Sequence, residues 1–189
     1  MKPKTEKKKL NEEITVPEDI QVESSGNTLV FSKGNDKISK TLAYSFKIDG
    51  KKIIFSSNSN KKNKKLIKTS IAHIRNMLSG LDKKYVYRMQ ICSVHFPMTI
   101  AVKGQELVIK NFLGEVKERK ASIPEGVNVK IDKEFITIES CDKERAGQTA
   151  ANFELATKPR NRDRRVFQDG IYITSKEKGR RKWDYCIQN

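Results

Sequence analysis

The sequence has few of the residues from which metal centres and disulfide frameworks are built. It contains three cysteines without CxxC spacing and only two histidines, His73 and His95, which excludes a His-rich metal cluster and gives no sign of a zinc site. We expect Cys92, Cys141 and Cys186 to be free thiols in a reducing compartment. Phosphate-binding glycine loops, HExxH and the nucleophile elbow are also missing. We therefore expect no enzyme and no cofactor or small-molecule substrate.

Long hydrophobic runs are missing as well. No stretch of about 18 apolar residues could form a transmembrane helix. The N-terminus, MKPKTEKKKL, is basic, but no apolar run follows it as in a secretory signal. The sequence therefore predicts a soluble intracellular protein.

Positive charge is the dominant feature that the sequence does have. Charged residues make up 33% of the chain, with a formal net charge of +16 and a pI near 9.8. A field of this sign favours polyanions as partners. An anionic membrane would require a basic amphipathic helix or a lipid anchor in addition, and neither is visible. We therefore expect a nucleic acid as the partner, and no membrane.

The pattern of apolar residues predicts an α+β fold with two tandem duplicated domains. Each is expected to be a small, mostly antiparallel β-sheet packed with one long α-helix, since strand signals precede helical spacing over 66–81 and again over 143–157. A repeat supports the duplication: Val16–Val22 resembles Ile123–Val129, each with a Pro-Glu pair. We predict a flexible basic arm at 1–12, an N-terminal domain at 13–84, a C-terminal rRNA-binding domain at 85–174 and a basic tail at 175–189.

The segment from Lys158 to Tyr172 carries the densest charge. Five cations occupy eight residues, from Lys158 to Arg165, and guanidinium groups bind phosphate oxygens in a bidentate manner. The alternative is a solvated charge run. We prefer RNA contact, because the segment follows a helix and Phe167–Tyr172 can anchor it to a sheet.

Two further basic segments are weaker candidates. Seven lysines and no acidic residue lie between Lys51 and Lys68, in a predicted loop that leads into a helix, and the tail is basic next to Trp183. Charge that only maintains solubility is the alternative for the loop, and Trp183 is expected to cover a local apolar patch. The predicted RNA-binding residues are Lys158, Arg160, Asn161, Arg162, Arg164, Arg165, Lys61, Lys62, Lys64, Lys65, Lys176, Lys178, Arg180, Arg181 and Lys182.

Two catalytic alternatives are disfavoured by the sequence. Cys92 and His95 are three residues apart, so on one strand they would point to opposite faces, and a structural turn at Pro97 is the preferred interpretation. A metal-dependent nuclease using Asp163 and Asp169 is disfavoured because the surrounding arginines would repel the metal. The segment 111–115 is interpreted as a turn at a strand end, with Phe112 and Leu113 packed inward.

Over residues 13–174, the chain resembles the ribosomal protein L six family of the large ribosomal subunit, in its eukaryotic cytoplasmic L nine form. The similarity comprises the two Pro-Glu pairs, His95-Phe96-Pro97, Asn111–Gly114, Arg160–Asp163 and Phe167–Tyr172.

The resemblance implies a structural constituent of the large subunit, bound to large-subunit rRNA near the base of the lateral stalk and the sarcin-ricin loop. It assigns rRNA contacts largely to the second domain, at Lys158, Arg160, Asn161, Arg162, Arg164 and Arg165. Neighbouring ribosomal proteins are expected partners, and the expected location is the cytoplasmic ribosome after transit through the nucleolus. The alternative is a free-standing RNA-binding module or RNA chaperone that acts off the ribosome.

Overall fold

The computed structural model describes residues 9–58, 61–163 and 165–177. The chain divides into two compact units at Asp82 and Lys83. Each unit contains one helix and two small antiparallel sheets. The mixed fold is as predicted, but each unit has two sheets instead of the single sheet expected. Within the described residues, no helix has the length and apolar character needed to cross a membrane.

The first unit consists of six strands followed by a helix. Its strands form two sheets of three, in the orders β1-β6-β5 and β2-β3-β4. Its hairpins close at Gly26, Gly34 and Gly50, whose φ angles near +60° suit glycine. The elements are β1 (Lys9–Thr15), β2 (Gln21–Ser25), β3 (Thr28–Lys33), β4 (Asp36–Thr41), β5 (Lys47–Asp49), β6 (Lys52–Asn58) and α1 (Lys61–Asp82).

Helix α1 covers both sheets of the first unit through contacts with β3 and β6. The predicted apolar face is confirmed, while Lys68 and Arg75 on the helix are exposed. An amphipathic helix is stabilised by burying one such stripe. The stripe consists of the buried residues Ile67, Ile71, Ile74 and Leu78.

The second unit has seven strands and one helix. Its sheets have the orders β11-β12-β7-β13 and β10-β9-β8. The elements are β7 (Tyr85–Cys92), β8 (Thr99–Lys103), β9 (Glu106–Lys110), β10 (Arg119–Ser122), β11 (Val127–Asp132), β12 (Phe135–Ser140), α2 (Lys143–Ala156) and β13 (Gly170–Glu177).

The two units share one topology. In each, the first strand pairs with the sixth and the sixth with the fifth, while the second, third and fourth form the other sheet. The second unit adds β13 to the free edge of β7. The Pro-Glu repeat nevertheless marks non-equivalent positions, because Pro17 follows β1 whereas Pro124 follows β10. Pro97, after β7, is the topological counterpart of Pro17.

Helix α2 begins where the sequence predicts and carries the predicted buried stripe. Asp142 caps it by accepting a hydrogen bond from Glu144 N at 2.9 Å. Ala146, Ala150 and Phe153 are fully buried. The small alanines bring the helix close to the sheets, and Phe153 fills the space between them.

Several predicted boundaries are wrong. Strand β1 begins at Lys9 inside the predicted flexible arm, because residues 9–15 pair along their whole length with β6. The predicted strand Leu42–Ile48 is reduced to β5, and β4 and β10 were missed because their apolar content is low. Strand β13 extends to Glu177, into the predicted tail. Residues 1–8 and 178–189 lie outside the described part of the chain.

Truncating Phe153 should destabilise the second unit. We expect Phe153→Ala to reduce its free energy of unfolding by about 3–5 kcal/mol, through lost apolar burial and a residual cavity. Hydrogen exchange of β7 and β12 amides measures this without assuming that both units unfold together. The control is Leu155→Ala on the same helix, because Leu155 is 64% exposed. Equal protection in the two variants would contradict the prediction.

Candidate nucleic-acid interface

The predicted binding segment connects α2 to β13. At its first residue, the Thr157 hydroxyl donates to Phe153 O at 3.1 Å and accepts from Ile171 N at 2.9 Å. One buried hydroxyl thus joins the helix end to the strand start. The basic segment is therefore a short loop whose two ends are fixed to each other.

Asp169 is the anchor at the far end of this loop. Its carboxylate is completely buried, at 0% exposure. One oxygen accepts hydrogen bonds from Val94 N and, at 3.1 Å, from His95 N, while the other lies 3.0 Å from His95 Nδ1. A buried charge is tolerated when it is hydrogen-bonded in this way. Asp169 therefore holds the basic loop against the β7–β8 connection.

The environment of Asp169 keeps it ionised. Burial alone raises the pKa of Asp169, but hydrogen bonds from the Val94 and His95 N–H groups and from the His95 ring outweigh it and hold the pKa below the usual 3.8. An ionised carboxylate has no proton to donate, so Nδ1 of His95 carries the proton.

A stack of flat groups extends from Asp169 to the arginines. The His95 ring lies 5.2 Å from the Phe167 ring, centroid to centroid, and the Arg162 guanidinium lies 4.8 Å from the Phe167 centroid. A guanidinium at this distance is attracted to the ring face. The buried anchor thus limits the positions available to Arg162.

Arg119 supports the loop from the other side. Its guanidinium binds both Glu115 carboxylate oxygens, at 2.6 and 2.7 Å, and donates to Ala156 O at 2.9 Å and Lys158 O at 3.1 Å. It also lies 4.2 Å from the centroid of the Phe112 ring. Arg119 therefore satisfies carbonyls at the end of α2 and fixes the start of the basic loop.

The middle of the loop is a compact turn. Asp163 O accepts from Val166 N and Phe167 N, and the Asp163 carboxylate binds Arg165 at 2.9 Å. Hydrogen bonds from the Arg165 side chain and backbone lower the pKa of Asp163. Asn161 has a φ of +55°, a conformation that asparagine tolerates better than most residues.

The turn leaves its cations facing outward. Arg164, which was also predicted to bind RNA, lies outside the described residues. Arg160 and Arg162 lie close enough to Glu115 that their charges contribute to lowering its pKa, after the larger effect of its hydrogen bond with Arg119. The exposed predicted residues of this segment are Lys158, Arg160, Asn161, Arg162 and Arg165.

The lysine cluster of the first unit lies in helix α1, which begins five residues before the predicted helix. Lys61, Lys62, Lys64 and Lys65 are all exposed, and the first turn contains no acidic residue. Cations at a helix N-terminus are unfavourable to the helix dipole. The helix start thus carries more positive charge than its own stability favours.

The predicted tail residues fall mostly outside the described chain. Lys176 is exposed in β13. Lys178, Arg180, Arg181, Lys182, Trp183 and Cys186 are not among the described residues.

The structure gives the catalytic alternatives no assembled site. Asp169 has both carboxylate oxygens engaged by Val94 and His95, and Asp163 is paired with Arg165. Within residues 9–58, 61–163 and 165–177, no group of three or more His, Cys, Asp or Glu side chains is placed to hold a metal ion. The turn interpretation of 111–115 is confirmed, with Phe112 and Leu113 buried.

Sequence reasoning missed the two residues that position the loop. Arg119 was not singled out, although its spacing four residues after Glu115 is a detectable signal of an ion pair. The pairing of His95 with Asp169 joins residues 74 positions apart. No local pattern reveals such a contact.

Comparison with known proteins gives a consistent result. The family model described as ribosomal protein L6 matches residues 96–170, the range that runs from the β7–β8 connection through the basic loop. Three archaeal proteins named large ribosomal subunit protein uL6 are similar over most of the chain. The one from Methanococcus vannielii is 40% identical over 171 residues, covering 88% of this chain and 94% of the relative.

The other two relatives are similar to the same extent. The protein from Methanobrevibacter smithii is 39% identical over 172 residues, with 89% and 97% of the two chains covered. That from Sulfurisphaera tokodaii is 40% identical over 173 residues, with 89% and 93% covered. Because all three are archaeal, they do not support the expected eukaryotic form.

Replacing Asp169 should destabilise the second unit in a pH-dependent way. We expect Asp169→Asn to cost about 1–3 kcal/mol at pH 7, through weakened buried hydrogen bonds. Because the folded pKa lies below 3.8, the wild-type advantage should be complete above that pH and decline as the pH falls through the folded value. Hydrogen exchange of β7 and β13 amides, compared between pH 7 and pH 3, measures this difference.

The matched control is Asp163→Asn, which removes the same charge from an exposed carboxylate. Little change in protection is expected for it. An Asp169 effect that stays constant or grows on acidification would refute the ionised anchor.

Proposed function

The chain belongs to the ribosomal protein L6 family, and from this membership we propose that it is a structural constituent of the large ribosomal subunit that binds large-subunit rRNA. It catalyses no reaction. The observation that carries the proposal is the loop from Lys158 to Arg165, whose exposed arginines are held between a buried carboxylate and Arg119. A preorganised set of guanidinium groups binds phosphates with less loss of side-chain entropy than a mobile charge run.

We infer that the second unit makes the main rRNA contact, through Lys158, Arg160, Asn161, Arg162, Arg164 and Arg165. The lysines at the start of α1 and the cations from Lys176 to Lys182 add phosphate contacts from neighbouring RNA. The proposed position, near the base of the lateral stalk and the sarcin-ricin loop, follows from the family resemblance. The corresponding location is the cytoplasmic large subunit, next to other ribosomal proteins; nucleolar transit applies only to a eukaryotic source.

We also infer that the two units arose by tandem duplication. Their common strand order and pairing support this more directly than the Pro-Glu repeat, which falls at different places in the two units. After duplication, β13 and the loop before it would be an addition specific to the second unit. That addition contains the proposed binding segment.

Removing two arginines should weaken rRNA binding without unfolding the protein. Arg160→Ala with Arg162→Ala removes two exposed cations, so log K for large-subunit rRNA should lose about 0.7–0.9 per contact from its slope against log salt. Filter binding at several salt concentrations measures the slope. Sedimentation under subunit-preserving magnesium measures incorporation into the large subunit, which should fall.

The matched control is Lys103→Ala with Lys130→Ala, which removes two exposed charges from β8 and β11 of the same unit. Its salt slope should remain close to that of the wild type. If both double variants lose the same amount, binding depends on net charge alone. If the wild-type protein stays at the top of the gradient while large subunits migrate normally, it acts off the ribosome.

Charge reversal at the start of α1 should separate stability from binding. Lys61→Glu with Lys62→Glu places anions at the helix N-terminus, which should stabilise the first unit by about 0.3–1 kcal/mol per residue. The same change should weaken incorporation into the large subunit. Hydrogen exchange of α1 amides and co-sedimentation provide the two measurements, and unchanged incorporation would mean that these lysines only maintain solubility.

A further inference from the structure

The connection between β7 and β8 exposes apolar side chains beside the basic loop. Val94 is 72% exposed and Phe96 is 40% exposed. Among the described residues, Phe96 and Phe135 are the only aromatic side chains in the exposed class. An exposed phenyl ring on a strongly basic surface exposes apolar area to water without a partner inside its own unit, and such surfaces mark interaction sites.

The first link between Phe96 and the arginines runs through its neighbours in sequence. Val94 N and His95 N donate to Asp169 inside the basic segment. The His95 ring contacts Phe167, over which the Arg162 guanidinium lies at 4.8 Å. The connection that carries Phe96 is therefore fixed to the arginine-bearing loop and moves with it.

The second link runs through Gly114. The Phe96 ring lies 3.6 Å from the position that a Cβ on Gly114 would occupy, and Gly114 has a φ of +77° that favours glycine. The next residue, Glu115, is within electrostatic range of Arg160 and Arg162. Phe96 thus rests on the turn at Gly114, and cations lie near it along both links.

This combination of groups suits a particular form of RNA. A paired helix presents phosphates and riboses, while the faces of its bases are covered by stacking. Nucleotides in loops and bulges expose base faces, which stack on aromatic side chains while nearby arginines bind the adjoining phosphates. A phenyl ring fixed beside guanidinium groups provides both contacts at once.

We propose that Phe96 stacks on an unpaired base of the RNA whose phosphates are bound by Arg160 and Arg162. The inference rests on the proposed rRNA-binding function and specifies which part of the RNA this unit recognises. It adds the β7–β8 connection to a surface that would otherwise consist of the basic loop alone.

Ultraviolet crosslinking tests the stacking directly. The full-length protein is bound to deproteinised large-subunit rRNA, irradiated and digested with nuclease and trypsin. Mass spectrometry should find a nucleotide adduct on the peptide 89–103, located at Phe96, and Phe96→Leu should abolish it. Affinity should fall about 5- to 100-fold in Phe96→Leu, corresponding to the loss of one stacked base, and stay close to wild type in Phe96→Tyr.

The matched control is Phe135→Leu, which replaces the other exposed phenylalanine, at the start of β12. Its affinity should be unchanged. If Arg160→Ala with Arg162→Ala loses binding while Phe96→Leu binds normally and no adduct forms on peptide 89–103, the stacking is refuted and the rRNA function stands. If neither variant loses affinity, the rRNA function itself fails at this site.

Two further outcomes are informative. If Phe96→Leu binds free rRNA normally but enters large subunits poorly, Phe96 contacts a neighbouring protein and the stacking is refuted. If Phe96→Leu loses hydrogen-exchange protection in β7, its affinity cannot be used, and the adduct on the wild-type peptide decides. The presence of that adduct supports stacking, and its absence overturns it.

Discussion

The second unit depends on one buried carboxylate. Asp169 accepts hydrogen bonds from two consecutive backbone N–H groups and from an imidazole, and it lies between a basic loop and a strand that must pair next to β7. A charge in the interior is costly unless its hydrogen-bonding capacity is met. Because residues 94 and 95 meet that requirement together, the β7–β8 connection and the basic loop occupy a single arrangement.

Several other features follow from this constraint. Fixing His95 fixes the face on which Phe167 packs, and Phe167 in turn provides a surface for Arg162. Arg119 completes the support by binding Glu115 and the carbonyls that end α2. An arginine-rich loop repels itself, so without such supports its cations would spread into many conformations. The fold thus converts a charge run into a defined surface.

The two units use the same topology for different electrostatic purposes. Helix α2 begins with an Asp142 cap and Glu144, as helix stability favours, whereas α1 begins with four exposed lysines and no acidic residue in its first turn. The second unit adds β13 and carries its cations in the loop before that strand. The common scaffold thus presents positive charge at a helix start in one unit and at a supported loop in the other.

The sequence by itself determined the features that local physics controls. Apolar spacing identified the buried stripes of α1 and α2, Gly and Asn marked hairpin turns, and the charge of Lys158–Arg165 indicated a polyanion. Only the tertiary structure decided that β1, β4 and β10 are strands, because backbone pairing holds segments with little apolar content. It alone also joined His95 to Asp169, since contacts between residues far apart in sequence depend on how the strands are arranged, which no local pattern encodes.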